Sequence, residues 1–562
     1  MNVVIHNWLK NKFTVDIAMG ALPAATSDLK TLKWMPGDSI AIDGRVVKRA
    51  AKQIVGIIDI LNRTRFGTTS RGIPLYIMYP LDVSYPPFLL ALKTKPDTNV
   101  LAIATYEHWD GIWPRAGLVK LLGPVGHLDS ELEAMRQTLV SGSSGALDDG
   151  LRPDFSKHTL ADWDVVLHID PPGCKDVDDV LCWKWKGPQY VTFSIGIADV
   201  GSWVAEGTDL DTTACMRGAT LYDDGVAIVP MFPTWLSESC ASLRCDGEMR
   251  PAVCLTFDLE RVDDVWRMTS PGRFELHRLR VTESYTYDSI HDHAERATEV
   301  RAFVSAVWGT HLGMDSHEWV ERAMIVYNRT VGEELQLAGI GLLRAHEGVT
   351  HEQYARLAVE TGCPELQWLG SAAGRYVRPT DNTGHAGLSL ACYTHASSPL
   401  RRYVDLYNQR WIHALRFGGP VPAAAAGSMF AEFMNSRAKR IRQLERDIYF
   451  LQRVLGGTHD GLCSGVSGFL LSKSSDEDGV ERWRAYVPEW KRVVPCVLAR
   501  DLAEAETEPA TSGMKVIVRV YFDVRQANAA QRFIYQAAVS ILPHAAAAPV
   551  AADQNKPHDE FN

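Results

Sequence analysis

The sequence predicts an α+β multidomain protein in which small β-barrels flank a larger domain of mixed strands and helices. Three observations carry this. At 562 residues the chain is too long for one hydrophobic core. Both flanks alternate short β-rich runs with turns, the pattern of small barrels. Between them, strand-like runs to about residue 260 give way to helical periodicity.

In order along the chain, residues 1 to about 125 contain the runs Ser39-Ile-Ala-Ile42, Gln53-Ile-Val-Gly-Ile-Ile58, Leu75-Tyr-Ile-Met78 and Val100-Leu-Ala-Ile-Ala104. Residues 130–140 predict a helix opened by a capping box, Ser130 with Glu133, and carry Leu132, Met135, Leu139 and Val140 on one face. Ser141-Gly-Ser-Ser-Gly145 predicts a flexible linker. Residues 430–455 place Ile441, Leu444, Ile448 and Leu451 at helical spacing. From Gly461 short β runs return, in Gly465-Val-Ser-Gly-Phe-Leu-Leu471, Trp483-Arg-Ala-Tyr-Val487 and Lys515-Val-Ile-Val-Arg-Val-Tyr521. The Ala-rich, polar tail from His544 is expected to be disordered.

Apolar content of 46% and charged content of 22% are those of an ordinary globular protein. A net charge of −10 argues against a surface coated for nonspecific nucleic-acid binding, yet a basic channel can coexist with an acidic exterior. Ten scattered cysteines with no Cys-x-x-Cys pair suit buried thiols in a reducing compartment. No apolar run reaches membrane-spanning length, and Lys10, Lys12 and Asp16 interrupt any signal-peptide core. An intracellular, cytoplasmic location with no membrane contact is therefore expected.

The chemistry concentrates in His168-Ile-Asp-Pro-Pro-Gly-Cys-Lys-Asp-Val-Asp-Asp179, where Asp170, Asp176, Asp178 and Asp179 fall within ten residues. The apolar run Val165-Val166-Leu167 before it reads as a buried strand, which puts the acids at a strand end and in the Pro171-Pro172-Gly173 turn. Like charges this close repel unless protons or cations offset them. Carboxylate oxygens without a His or Cys ligand set favour magnesium or manganese over zinc. An acidic surface loop is the bland alternative, but such a loop needs no hydrophobic strand leading into it. An EF-hand is excluded, because its Gly and terminal Glu have no counterpart here.

This segment resembles the signature of the ribonuclease II (RNB) family of 3′-to-5′ exoribonucleases, Ile-Asp-Pro followed by Asp-x-Asp-Asp. The resemblance continues in Ile197-Ala-Asp-Val200, Glu206-Gly207, Met216-Arg-Gly-Ala-Thr-Leu-Tyr222, Val229-Pro-Met-Phe-Pro233, Leu236-Ser-Glu238 and Ser242-Leu243. A second signature follows in Tyr393-Thr-His-Ala-Ser-Ser-Pro-Leu-Arg-Arg-Tyr-Val-Asp405.

The resemblance implies an RNB catalytic domain over 161–457, a mixed sheet and helices around an RNA channel, flanked by OB-fold barrels. By the same resemblance residues 49–127 are a cold-shock-like OB barrel, and 1–48 a partial or degenerate one. Residues 128–160 are a helix and linker, 458–543 a C-terminal OB-type RNA-binding barrel, and 544–562 a tail. It also implies that Asp170, Asp176 and Asp179 ligate Mg2+, with Mn2+ as the other candidate, and that Asp178 is the acid tied most closely to cleavage. Tyr222 would pack near the RNA 3′ end, Tyr287 would stack on bases, and Glu445 would lie near the catalytic arginine.

The second signature has physical content of its own. Ser398-Pro399 predicts a helix start, with Leu400, Tyr403, Val404, Tyr407 and Trp411 along one face. Arg401 would then sit in the first turn, where dipole and free amides already favour an anion, and its guanidinium can fork onto a phosphate. Arg401 and Arg402 could instead pair with surface acids. His168, His385 and His395 share no ligand spacing and are taken as structural. The expected activity is 3′-to-5′ hydrolysis of single-stranded RNA to 5′-monophosphates with magnesium. The rivals are a non-catalytic RNA-binding or assembly protein on the same fold and a DNA-directed exonuclease.

Overall fold

The computed structural model describes the chain apart from residues 1, 17–27, 42, 50–52, 63, 65, 141–152, 154, 349–351, 371–372, 423–427, 457–464, 476–480, 499–509, 530–531 and 540–562. The linker expected at 141–145 and the tail expected from 544 therefore lie outside the described residues. The chain divides into two compact units, one of Met1–Gly142, Val349–Ala373 and Gln443–Asn562, the other of Ser143–Gly348 and Gly374–Arg442.

In the first unit, strands Gln53–Ile58, Leu75–Pro80, Phe88–Ala91, Val100–His108 and Arg115–Pro124 close a barrel. Alternating Ile54, Ile58, Met78, Phe88 and Leu90 fill it, because side chains two apart on a strand share a face. Gly56 lies where a Cβ would come within 2.5 Å of the Tyr79 carbonyl oxygen, so only glycine lets these strands pass so closely. Residues 2–48 form two short hairpins and a one-turn helix, Leu29–Leu32, and among the described residues they close no barrel of their own. They contribute Trp8, Leu29, Trp34 and Met35 to the core of the adjoining barrel.

A second closed barrel comprises Val466–Ser475, Glu481–Val487, Arg492–Leu498, Lys515–Phe522 and Phe533–Val539. Phe450 and Val454 of the long helix Ser428–Leu455 enter its core. The two barrels pack together: Val55, Ile57, Leu101 and Ile103 of the first share an apolar cluster with Ala527 beyond the second's fourth strand. Asn99 Nδ2 donates to the Arg525 carbonyl at 2.9 Å. The helix expected from a capping box at Ser130 instead spans Leu128–Val140 and begins two residues earlier. Ser130 is buried within it, and Glu131 does the capping work, accepting the Gly126 N–H at 2.9 Å. Its carboxylate also meets Arg532 in a buried pair. That partner is too distant in sequence for a local motif to register.

The second unit is built on an eight-stranded sheet. Its main order is Thr159–Leu160, Arg273–Arg280, Met249–Val262, Tyr190–Ala198, Asp179–Gly187, Val165–Ile169, Glu283–Tyr285, with Val265–Met268 hairpinned onto Met249–Val262. Strands continue to residue 285, beyond the expected limit near 260, because the polar run Arg273–Arg280 pairs along the buried Met249–Val262. Val165–Ile169 is buried at every position, as an apolar run in the interior of a sheet must be. Phe303 of helix Ala294–Trp308 packs edge-on against Trp183, Trp185 and Trp266. The helices Ser316–Ala338 and Tyr403–Phe417 complete the core.

Candidate active site

Asp170 is the first residue past Val165–Ile169, and its N–H donates to the Tyr285 carbonyl of the neighbouring strand at 3.1 Å. The chain reverses through Pro171-Pro172-Gly173, with Gly173 at φ 82°, where a side chain would be strained. Returning, the loop is fixed by Ser242, whose Oγ accepts the Val177 N–H and donates to the Lys175 carbonyl. Val177 and Asp178 are both buried, while Asp176 is half-buried. Asp179 opens the next strand, opposite Ile197.

Each carboxylate has a distinct setting. Asp170 Oδ2 lies 2.8 Å from His168 Nδ1, so this histidine, taken from sequence as structural, orients one of the cluster acids. Asp176 accepts the Tyr222 hydroxyl at 2.5 Å. Asp178, 3% exposed, accepts the Leu400 N–H on Oδ1 at 2.8 Å and Arg401 Nε on Oδ2 at 3.0 Å. Burial pushes Asp178 up to about 7, against the pull of Arg401 and the Leu400 amide. Burial, then the charges of Asp170 and Asp178, raise Asp179 well above the usual carboxylate range.

The second signature is arranged differently from the sequence expectation. The helix is Tyr403–Phe417, so Arg401 stands before it, in a turn where the Arg401 and Arg402 amides bond back to the Ser398 carbonyl. Arg402 is extended and bridges Ala219. The reason is Asp405, fully buried, which accepts the Ser398 N–H at 2.8 Å and Arg402 Nη2 at 2.9 Å. With Ser398 held by an acid seven residues on, the helix cannot begin at Pro399. The Thr220 N–H donates to the Arg401 carbonyl, which sets the Tyr222 strand beside Arg401.

The structure thus brings Asp170, Asp176, Asp178, Asp179, Arg401 and Tyr222 together. Arg401 keeps Nε on Asp178 and Nη2 on Ser398 Oγ, while its side chain remains 47% exposed. Tyr287 has one ring face covered by His317, stacked at 3.9 Å and 12°, which sequence did not reveal. Glu445, half-buried on helix Ser428–Leu455, falls in the unit of the barrels. Asp405, Ser242 and the Leu400 amide were missed, because backbone donors and buried second partners leave no spacing signal.

Against a divalent cation, the cluster offers hard oxygen donors and a surplus of negative charge, four acids to one arginine. Burial and then that surplus raise Asp179, and a cation would relieve the part due to charge. Among the described residues no three His, Cys, Asp or Glu side chains already stand in a coordinating arrangement. Asp178 is committed to Arg401 and Leu400, which leaves Asp170, Asp176 and Asp179 as the acids that fit the ion by chemistry.

The family model described as RNB domain matches residues 157–306 and 310–418. The probable exosome complex exonuclease RRP44 of Caenorhabditis elegans is 24% identical over 414 residues, 56% of this chain and 42% of that protein. Exoribonuclease 2 of Aeromonas hydrophila is 24% identical over 352 residues, 50% of this chain and 51% of its own. The chain spans about half the length of the curated relatives it matches. In fold it is similar to the apo form of Mycoplasma genitalium RNase R, TM-score 0.59 at 16% identity, covering 88% of this chain and 90% of that one. It is also similar to yeast Ssd1, a pseudonuclease, TM-score 0.55 at 14% identity, covering 82% and 68%. No helix among the described residues is long and apolar enough to cross a membrane. The domain match encloses the strand, the acid loop and the Arg401 turn just described, so residues 157–418 of the chain carry an RNB domain.

Proposed function

We propose that this chain is a 3′-to-5′ exoribonuclease that hydrolyses single-stranded RNA to 5′-monophosphates with Mg2+ or Mn2+. The observation that carries the proposal is the contact of Arg401 and the Leu400 amide with Asp178, which joins the two signatures into one site. In each step a water adds to phosphorus, the bond to the 3′ oxygen breaks, and that oxygen takes up a proton.

Arg401 Nη1 bonds none of the described residues and would donate to the scissile phosphate while Nε stays on Asp178. Asp178 orients that guanidinium, and the Tyr222 hydroxyl, held on Asp176, would pack beside the terminal nucleotide. Tyr287, backed by His317, would present its other face to a base; stacking of this kind is worth about 1–3 kcal/mol per base and tolerates any sequence. Asp170, Asp176 and Asp179 would hold the metal, which when bound supplies charge neutralisation at the phosphate. The barrels would capture the strand upstream. A cytoplasmic place of action belongs to the same proposal, since buried free thiols such as Cys182 and Cys254 suit a reducing compartment.

The likeness to a pseudonuclease favours one second reading, a non-catalytic RNA-binding scaffold. A single assay separates the two: purified protein with 3′-tailed RNA and DNA, with magnesium and then with chelator. Stepwise, metal-dependent shortening of RNA from the 3′ end is expected. RNA binding without shortening would leave only the scaffold, and equal shortening of DNA would change the substrate.

A further inference from the structure

Among the described residues four arginines are more than nine-tenths buried: Arg250, Arg344, Arg410 and Arg532. Three have an acid in contact, Arg250 with Asp246 at 2.6 Å, Arg410 with Asp211 at 2.8 Å and Arg532 with Glu131 at 2.5 Å. Arg344, 5% exposed, has none. Its guanidinium makes no hydrogen bond to a described residue, and its Nη1 is buried without a partner. A guanidinium keeps its proton in any protein environment, and an uncompensated buried charge is strongly unfavourable.

The surroundings add positive charge rather than cancel it. Strand Leu343–Ala345 pairs with Arg375–Val377, and the Arg344 guanidinium lies 4.9 Å from the centre of the Tyr376 ring. Tyr376 Oη is 2.9 Å from His395 Nδ1. His385 stacks on His346 at 5.1 Å, and its own buried Nδ1 has no partner. Burial, His346 and Arg344 push His385 down to about 4, and burial, Arg402 and Arg344 push His395 down as well. Of the acids at hand, Asp405 bonds Arg402 and the Ser398 amide through Oδ1, its buried Oδ2 having no hydrogen-bond partner among the described residues, and Glu347 pairs with Arg375 at the surface.

We propose that Arg344 and His385 form an oxyanion site that takes a phosphate group, the backbone of the RNA substrate upstream of the scissile bond. A tetrahedral phosphate can accept from a terminal guanidinium nitrogen and from an imidazole N–H at once. The Arg344 amide donates to the Tyr393 carbonyl at 2.8 Å, and Tyr393 opens the segment that runs to Arg401, so the site is built into the same signature. The RNA assignment rests on the proposed exoribonuclease function, whereas the oxyanion site itself does not.

The test uses the full chain in chelator. Binding of a labelled oligoribonucleotide across a salt series is compared between wild type and Arg344→Gln, beside thermal unfolding of both in inorganic phosphate and in chloride of equal ionic strength. Loss of one phosphate contact is expected to weaken binding about tenfold and to reduce the salt slope by about 0.7, the single-strand value per phosphate. Phosphate is expected to raise the midpoint of wild type more than that of the variant; general salting effects and any binding at Arg401 are common to both. Should the glutamine variant not fold, Arg344→Lys, which keeps the charge but not the fork, is expected to lose at least about threefold in affinity. Unchanged affinity, slope and phosphate response in a folded variant would overturn the site and leave a bridging water as its content. A phosphate difference without an affinity change overturns the RNA assignment in favour of free phosphate. Wild type that binds no RNA at all sinks the exoribonuclease reading, while the phosphate arm still decides the site.

Discussion

Asp178 is a buried acid that would be costly to keep charged without Arg401 and the Leu400 amide. Asp178→Asn keeps an oxygen for the amide and the side-chain volume, so the variant is expected to fold and to bind RNA as wild type does. It loses the charge that aligns the guanidinium, and cleavage should be abolished. Anisotropy titration beside a gel assay checks this, and retention of more than about a tenth of the wild-type rate, under ~1.4 kcal/mol of barrier, would sink the role. In the proposed complex Arg401 would hold Asp178 through Nε and the phosphate through Nη1 of one rigid plane. Lysine offers a point charge and cannot reproduce that geometry, so Arg401→Lys and Arg401→Ala should both lose at least ~100-fold in single-turnover cleavage, roughly 2.7 kcal/mol at ~1.36 kcal/mol per decade. A lysine variant near wild-type speed would reduce Arg401 to an electrostatic anchor.

Among the elements, the helix Tyr403–Phe417 is anchored at both ends by charges that sequence spacing did not reveal. At its end, His413 and, from a remote strand approach, His158 grip the fully buried Asp199 at 2.9 and 2.7 Å. Burial alone would raise Asp199, yet His413 and His158 hold it well below the usual carboxylate range. Burial lowers His413, but Asp199 outweighs it and raises the imidazole; Lys157, which caps the Phe417 carbonyl, opposes that rise. A raised folded value means the His413 contribution is complete below about pH 6.5 and is lost as pH climbs through the raised value. The depressed Asp199 contributes above about pH 3.8 and fails only as pH drops through its lowered value. Chemical denaturation from pH 6 to 9 should therefore show stability falling with pH, and Asp199→Asn should be less stable with a flatter profile. An equal slope in both proteins would remove His413 from the account. The apolar strand Val165–Ile169, the acid run and the long helix were legible because each is a local pattern. The Arg401 turn and the Asp405 network were not, because a side chain that captures a backbone amide seven residues away leaves no spacing signal. The Asp199 network and the Glu131–Arg532 pair behind the Leu128 helix start were not, because their partners lie far along the chain.

At the scale of the molecule, the C-terminal barrel carries basic residues on its surface. Arg492 pairs with Asp447 and lies over the Phe450 ring, and Arg482 and Arg484 are exposed two apart on one strand and so share a face. Replacing both by Ala should weaken RNA capture and lower its salt slope by about 1.4 if each meets one phosphate, with turnover at saturating RNA within severalfold; a collapsed turnover with unchanged half-saturation would count against this. Deleting the barrel is a poorer probe, since Ala527 and Arg532 leave with it and uncover Val55, Ile57 and Glu131 of the first unit. The same packing dictates an order of events during synthesis. The surface of the first barrel is finished by residues more than 400 positions later, as the 426-residue separation of Asn99 and Arg525 shows. At about 5–20 residues per second, a nascent chain waits on the order of 20–80 s with that apolar face uncovered on the ribosome. A fragment of residues 1–142 should accordingly be cut rapidly by protease and depend on chaperones, and residues 443–562 supplied in trans should protect it. If the fragment alone resists protease as the intact chain does, the barrel completes itself at birth.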